Sequence, residues 1–345
     1  MRQQIKDREI AAFLVTKAEN IRYLSGFSGG EDARLIITGE EQFIFTDSRY
    51  IEQVARESPL WHFVQEESRN WEKLKKMCRS FQNVGFESDA VSYRLYSELQ
   101  ATGIKLVPVT GLIEELRAVK DEKELSLLRA AAIIGDEVFD EIIEIIRPGI
   151  SERAIANKIA YQLREKGCEK ESFDIIVLSA ENACLPHGHP GERLVAAGDM
   201  VTLDYGGFFH GYASDMTRTV AIGPVSGLLR KRYEAVQKAQ EIGVAMVKAG
   251  IPCSEIDKSI RECLKEYTLD QYFLHGTGHG VGLEIHEKPT VNSRSQEVLQ
   301  ENMVTTIEPG IYIPGWGGIR IEDTVIVKKG NCEVITNSTK QLIII

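Results

Sequence analysis

The segment Val201-Thr-Leu-Asp204-Tyr-Gly-Gly-Phe-Phe-His210-Gly-Tyr-Ala-Ser-Asp215-Met-Thr-Arg-Thr219 decides the reading of this chain. Apolar and β-branched residues flank a glycine-rich centre, the pattern of a β-hairpin. A turn centred near Phe209–His210 sets Asp204 and Asp215 opposite each other. Like charges opposed across two strands repel unless a cation lies between them, and a divalent ion supplies one. The alternative is a surface hairpin with both acids merely hydrated. Asp204 follows Val-Thr-Leu and so sits in a strand expected to be buried, which weighs against that alternative.

The histidines converge on the same region. Six of the seven lie between His187 and His286, and core packing does not explain this, because a buried imidazole needs polar partners. In His275-Gly-Thr-Gly-His279-Gly-Val-Gly-Leu-Glu284-Ile-His286-Glu287 the glycines alternate, which lets backbone approach a ligand or a neighbouring strand. The spacing is neither the dinucleotide fingerprint nor the helical His-Glu-x-x-His zinc motif; an extended strand with His279 facing a metal fits it. Thr305-Thr-Ile-Glu308-Pro-Gly-Ile-Tyr312 and Gly318-Ile-Arg320-Ile-Glu322-Asp323 each place a carboxylate within an apolar, β-rich run, where acids are rare without a partner or metal. Arg320 and Glu322 share one strand face, so an Arg–Glu ion pair is the simpler alternative there. Together Asp204, Asp215, His279, Glu308 and Glu322 provide four carboxylates and one imidazole. Mostly hard oxygen donors suit manganese or cobalt, with zinc or iron as the other choices. Four acids are enough to bridge two ions about 3.5–4 Å apart.

Around these motifs the chain alternates short apolar strands with helical patterns up to residue 110. Strands are expected at 11–16, 33–38, 42–46, 83–87 and 104–109, and helices at 49–57, 71–80 and 92–101, which is an α/β domain. A long amphipathic helix follows over 120–146 and stops at Pro148-Gly149. The remainder carries a weak repeat. Arg147-Pro-Gly-Ile150 leads into a helix opened by Ser151-Glu152, and Lys248-Ala-Gly-Ile251 leads into one opened by Ser254-Glu255. Each serine is placed as an N-cap, with glutamate in the first turn. Two copies about 100 residues apart, each followed by strands rich in glycine and histidine, predict a duplicated α+β unit with facing halves.

These residues resemble the pita-bread metallopeptidases: methionine aminopeptidase, aminopeptidase P and prolidase. The ordered set Asp204, Asp215, His279, Glu308, Glu322 looks like that family's dinuclear site. Leu185-Pro-His187-Gly, His286-Glu-x-Pro289, Ile307-Glu-Pro-Gly-Ile-Tyr312 and Arg117-Ala-Val-Lys-Asp-Glu-Lys-Glu124 are similar to the aminopeptidase P/prolidase branch. The resemblance implies an α+β fold, with a pseudo-two-fold pita-bread domain (116–345) preceded by a smaller creatinase-like α/β domain (1–115). It implies metal-assisted hydrolysis of the peptide bond before proline by two divalent ions, manganese first among them. Asp204 and Asp215 would hold one ion and His279 and Glu308 the other, with Asp215 and Glu322 shared. Glu308 would also act as general base, His286 would stabilise the oxyanion, and His187 would bind substrate or assist proton movement. Arg320, His275 and Tyr312 would support the ligands.

Prolidases often carry a basic residue just after His-Glu-x-Pro. Here Thr290 follows Pro289 and Arg294 comes later, which tilts the expectation toward an Xaa-Pro aminopeptidase, with an Xaa-Pro dipeptidase (prolidase) as the alternative. A metal-free creatinase-like hydrolase or a non-catalytic peptide-binding relative should lack some of the five ligands. Cys184 with His187 could form a thiol site, but no orienting residue accompanies them. Asp47-Ser-Arg-Tyr50 could reach a substrate rim or a subunit contact; a helix N-cap by Ser48 is the plainer role.

Length and composition fit this picture. The 345 residues suit two domains, and 43% apolar with 27% charged residues suits a folded chain. With 41 basic and 51 acidic residues, a net charge of −10 argues against a nucleic-acid partner. Met1–Thr16 has no apolar leader pattern, no run of about 18 apolar residues exists, and the six cysteines include no Cys-x-x-Cys pair. A cytoplasmic chain with reduced thiols and no membrane contact is therefore expected, and the resemblance implies a homodimer whose partners are small peptides with proline second.

Overall fold

The computed structural model describes residues 1–68 and 70–345. The chain divides into two compact units, Met1–Arg117 and Ala118–Ile345.

The first unit contains α1 (Arg2–Asp7), β1 (Ala12–Val15), α2 (Ala18–Ser25), β2 (Arg34–Thr38), β3 (Gln42–Thr46), α3 (Ile51–Glu57), β4 (His62–Gln65), α4 (Glu72–Cys78), β5 (Asn83–Glu87), α5 (Tyr93–Gln100), β6 (Lys105–Val109) and α6 (Leu112–Ala118), which runs to the boundary. One six-stranded sheet has the order β4-β3-β2-β1-β5-β6. Alternate residues of β1 serve opposite faces: Phe13 and Val15 join one apolar cluster, Ala12 and Leu14 the other. Helices α1 and α2 and strand β4 escaped the sequence reading, because four to eight residues with few buried positions show little periodicity. Nor does Ser48 cap a helix. Asp47 does so, accepting a hydrogen bond from the Arg49 N–H at the start of a 3-10 turn.

The second unit begins with α7 (Glu122–Ile143). Asp121 caps it through a capping box with Glu124, and Leu125, Leu128, Ala132, Val138 and Ile142 form its buried stripe. There follow α8 (Glu152–Glu165), β7 (Lys170–Glu171), β8 (Ile176–Ser179), β9 (Met200–Tyr205), β10 (Gly207–Phe209), β11 (Tyr212–Ala213) and β12 (Met216–Ala221). Then come α9 (Gly227–Met246), α10 (Cys253–Glu266), β13 (Gly278–Gly280), β14 (Glu287–Val291), β15 (Val304–Ile307), β16 (Gly310–Ile313), β17 (Gly317–Arg320), β18 (Asp323–Val327) and β19 (Cys332–Val334).

The duplication is visible in the backbone. Gly149 and Gly250 both lie at positive φ, 91° and 89°. The Gly149 N–H donates to Val195 O and Val195 N–H to Ile150 O; Gly250 and Leu299 repeat both bonds with Leu299 O and Ile251 O. The bridges Ser151–Leu194 and Pro252–Val298 repeat as well. Ser151 caps α8 as expected. Ser254 does not cap α10, which starts one residue earlier, with Pro252 in the cap position. The halves meet where the N–H of Glu322 donates to Thr217 O and the Thr219 hydroxyl donates to Arg320 O at 2.8 Å. Both β9 and β12 are buried along their whole length, so any carboxylate they carry is held away from water. No helix among the described residues is long and apolar enough to cross a membrane.

Candidate metal centre

A two-residue turn at His210-Gly211, with φ of 47° and 84°, the type I′ geometry that matches strand twist, joins β10 to β11, and β9 and β12 continue the same hairpin in the same register. The turn lies one residue beyond the centre read from the sequence, which shifts the pairing by two. Asp204 therefore faces Thr217, and Asp215 occupies the diagonal position on the same face rather than standing directly opposite. Diagonal neighbours remain within reach of one small group. In the second half, Ile307 pairs with Asp323 and Gly310 with Arg320. Glu308 and Glu322 lie between those two ladders. A register shift between His279 and Gly280 in β13 re-aims the histidine. The close fit there needs Gly278, where a Cβ would come within 1.9 Å of Thr306 O.

These side chains line one cavity of about 410 Å³, within the range for small-molecule sites. All five expected ligands border it, as do His187, His286, His275 and Arg320. Ligand atoms of Asp215, His279 and Glu322 all lie within 4.8 Å of one another. His279 Nε2 is 3.5 Å from Asp215 Oδ2 and 3.4 Å from Glu308 Oε1. Its Nδ1 lies 3.1 Å from Gly280 O, which fixes the proton on Nδ1 and leaves the Nε2 lone pair facing two carboxylates. Burial, with the charge of His286, lowers the His279 pKa to about 4, so the ring is neutral. A lone pair and two acids converging in this way are mutually repulsive without a cation. Burial, then repulsion from Glu322, Asp204 and Glu308, drives Asp215 well above the carboxylate range. Glu322 is raised by burial and by Glu308 and Asp204. Burial, opposed by Arg320, pushes Glu308 up to about 8. Asp204 Oδ1 and Glu322 Oε1 are buried without a hydrogen-bond partner. Acids whose ionisation is opposed by burial and by one another, one lone-pair nitrogen and two orphaned oxygens fit a divalent cation, whose charge would offset that repulsion.

The supporting contacts are specific. Arg320 forms its ion pair with Asp204, not with Glu322, which lies past the end of β17 and shares no strand with it, and also donates to Thr217 Oγ1 and Tyr312 OH. Thr217 in turn donates to Glu322 Oε2 at 2.7 Å. His275 Nδ1 lies 2.7 Å from Gly276 O, so its Nε2 accepts from the Tyr312 hydroxyl at 2.8 Å. Burial and the Arg320 charge lower the His275 pKa to about 4. The rings of His279 and His286 meet edge-on, 4.3 Å apart. Cys184 does not line the cavity among the described residues, and all six cysteines are free thiols. The sequence reading passed over Thr217 and Thr306, the latter donating to Glu308 Oε1 at 3.1 Å. Each lies two residues from a proposed ligand, and that period of two along a strand is the signal that marks them.

Metal-free protein titrated with manganese should gain stability. At a free ion concentration 100 times Kd, one site contributes about 2.7 kcal/mol, read as a rise in the thermal midpoint. No rise with manganese, cobalt, zinc or iron would sink the metal assignment.

Residues 126–329 match metallopeptidase family M24, and residues 1–119 match the creatinase/prolidase N-terminal domain. The Xaa-Pro dipeptidase of Pyrococcus horikoshii is 36% identical over 336 residues, covering 97% of this chain and 95% of that protein. The solved structure of an Xaa-Pro dipeptidase from Bacillus anthracis is similar at a TM-score of 0.96 and 40% identity, covering 100% of this chain and 98% of that one. That of the X-Pro aminopeptidase from Thermotoga maritima gives a TM-score of 0.91 at 32% identity, covering 98% and 99%.

Proposed function

Because the chain belongs to metallopeptidase family M24, we propose that it is a dinuclear exopeptidase hydrolysing the peptide bond of Xaa-Pro dipeptides. The observation that carries this reading is full-length similarity, at 36% and 40% identity, to proteins named for that activity. It reverses the tilt toward an aminopeptidase that Thr290 gave on sequence grounds.

Asp204, Asp215, His279, Glu308 and Glu322 would hold two divalent ions, which supply Lewis acidity at the scissile carbonyl and lower the pKa of an attacking water. Glu308 takes the proton from that water; its carboxylate borders the cavity beside the His279 nitrogen. His286, edge-on to His279 and open to the cavity, donates a hydrogen bond to the oxyanion. His187, exposed on the cavity lining, meets the substrate. Arg320 holds Asp204 in orientation, and Tyr312 links Arg320 to His275. Manganese as the resident ion, a homodimer and a cytoplasmic location complete the proposal. Metal analysis and light scattering of the purified protein check the first two.

One observation favours a second reading, the Xaa-Pro aminopeptidase. Arg320 is the only Arg or Lys among the described residues lining the cavity, and Asp204 engages it, so no free fixed cation awaits a dipeptide carboxylate. Ala-Pro and Ala-Pro-Ala, assayed with manganese-loaded protein, separate the two. The dipeptide is expected to give the higher kcat/KM by about tenfold, a difference of ~1.4 kcal/mol. Equal or better turnover of the tripeptide overturns the dipeptidase reading.

A further inference from the structure

Glu152 opens α8 and is completely buried, yet it does not line the cavity. A buried carboxylate must be compensated by charge or by several donors. Glu152 Oε1 accepts from the N–H and the hydroxyl of Ser179, both at 2.7 Å, and from the Asn182 amide at 3.2 Å. Its Oε2 accepts from the Gly191 N–H at 3.1 Å and again from Asn182 at 3.2 Å. The position at a helix N-terminus adds a favourable dipole.

The donors are not scattered. Ser179 ends β8, Asn182 lies in the 3-10 turn Ala180–Cys184, and Gly191 lies midway along the loop from that turn to β9. One carboxylate thus ties together both ends of residues 179–191. The stretch Pro186-His187-Gly188-His189 lies between those ends and lines the cavity. Its middle is held separately, because Arg320 donates to Pro186 O at 3.3 Å. The 3-10 turn lies against β17 so closely that a Cβ on Gly318 would be 2.0 Å from Ala183 O. Ala183 packs with Ile176 and Leu178, but Leu185, His187 and His189 are themselves exposed, so their side chains add little apolar packing to the cavity-lining stretch. Segments with few buried contacts open locally unless hydrogen bonds hold them.

We propose that Glu152 is a positioning residue that holds the 179–191 loop so that His187 meets the substrate. It acts on substrate binding rather than on the ions. The inference rests on the proposed role of His187 in the Xaa-Pro reading, and its test separates the two.

In the full-length, metal-loaded protein, Glu152→Gln keeps the size but turns one acceptor into a donor facing other donors. Amide exchange over residues 180–191 is expected to rise about tenfold, with α8 and β9 unchanged. For whichever proline peptide the native protein cleaves, KM is expected to rise about tenfold, with kcat and metal content little changed. In a His187→Ala background the same substitution should add no further KM penalty. Unchanged loop exchange overturns the proposal, as does an equal penalty in both backgrounds. If Glu152→Gln does not fold, Glu152→Asp, which keeps the charge on a shorter arm, is read in the same cycle and should show smaller shifts of the same sign. If the native protein cleaves no Xaa-Pro peptide, the functional reading fails, while the exchange measurement still decides the role of Glu152.

Discussion

Glu308→Gln is expected to lower kcat by about 10²–10⁴-fold, the range for removal of a positioned general base, while the chain folds normally. The amide keeps the shape of the side chain and can still accept the Thr306 hydroxyl bond. It cannot take a proton from water, and it brings no negative charge to the ions. In the metal-free protein the substitution should not lower the thermal midpoint. Glu308 is buried beside Asp204 and the other acids, and these conditions already penalise its charge. The stabilisation gained on adding manganese should shrink relative to native protein. Metal content measured alongside kcat separates loss of the base from loss of the ion. Activity within tenfold of native, with metal retained, would remove Glu308 from the general-base role.

The second large effect concerns stability. Asp323 and Arg218 are 0% and 1% exposed and form an ion pair at 2.8 Å. Gln240 and Thr336 also donate to the Asp323 carboxylate, and Lys340 contacts it. Removing one partner of a buried pair leaves the other charge uncompensated, at about 3–5 kcal/mol. Asp323→Ala is therefore expected to cost about 3–5 kcal/mol in urea unfolding. A loss below about 1 kcal/mol would place the pair among the weak surface kind. Burial opposes ionisation of Asp323, but the Arg218 and Lys340 charges and the hydrogen bonds hold its pKa below the ordinary value. A depressed folded-state pKa stabilises above the unfolded pKa, near 3.9 for aspartate. That contribution disappears as pH falls through the lower folded value. The native protein should show this acid limb, and Asp323→Ala should lack it.

Much of the molecule was legible in the sequence because its strongest signals are local. The long helices announced themselves by apolar stripes and stops: α7 is observed over Glu122–Ile143 against an expected 120–146. Strands β3 and β5 carry the expected ends because short apolar runs are bounded by polar or turn residues. The short helices α1 and α2 were not legible, since one or two turns with few buried residues leave no period to detect. The pairing of Asp204 was misread by two positions, because the turn residues His210-Gly211 fix register through backbone φ rather than through composition.

The adjacent acids Glu322 and Asp323 mark the division most clearly. The sequence by itself determined that a carboxylate would sit inside an apolar strand run, that five metal-type side chains recur in order, and that the unit is duplicated. These are matters of residue type and spacing. Only the tertiary structure decided what each acid faces. Neighbours on an extended chain point to opposite sides. Asp323 therefore turns to Arg218, Gln240 and Lys340 and is neutralised. Glu322 turns to the cavity, where Thr217 satisfies one oxygen and the other has no partner. Likewise Glu152, an ordinary first-turn glutamate by its sequence, becomes the tie of a loop only because folding brings Ser179, Asn182 and Gly191 to it. Charge and periodicity are written locally, whereas the compensation of a buried charge depends on residues tens of positions away.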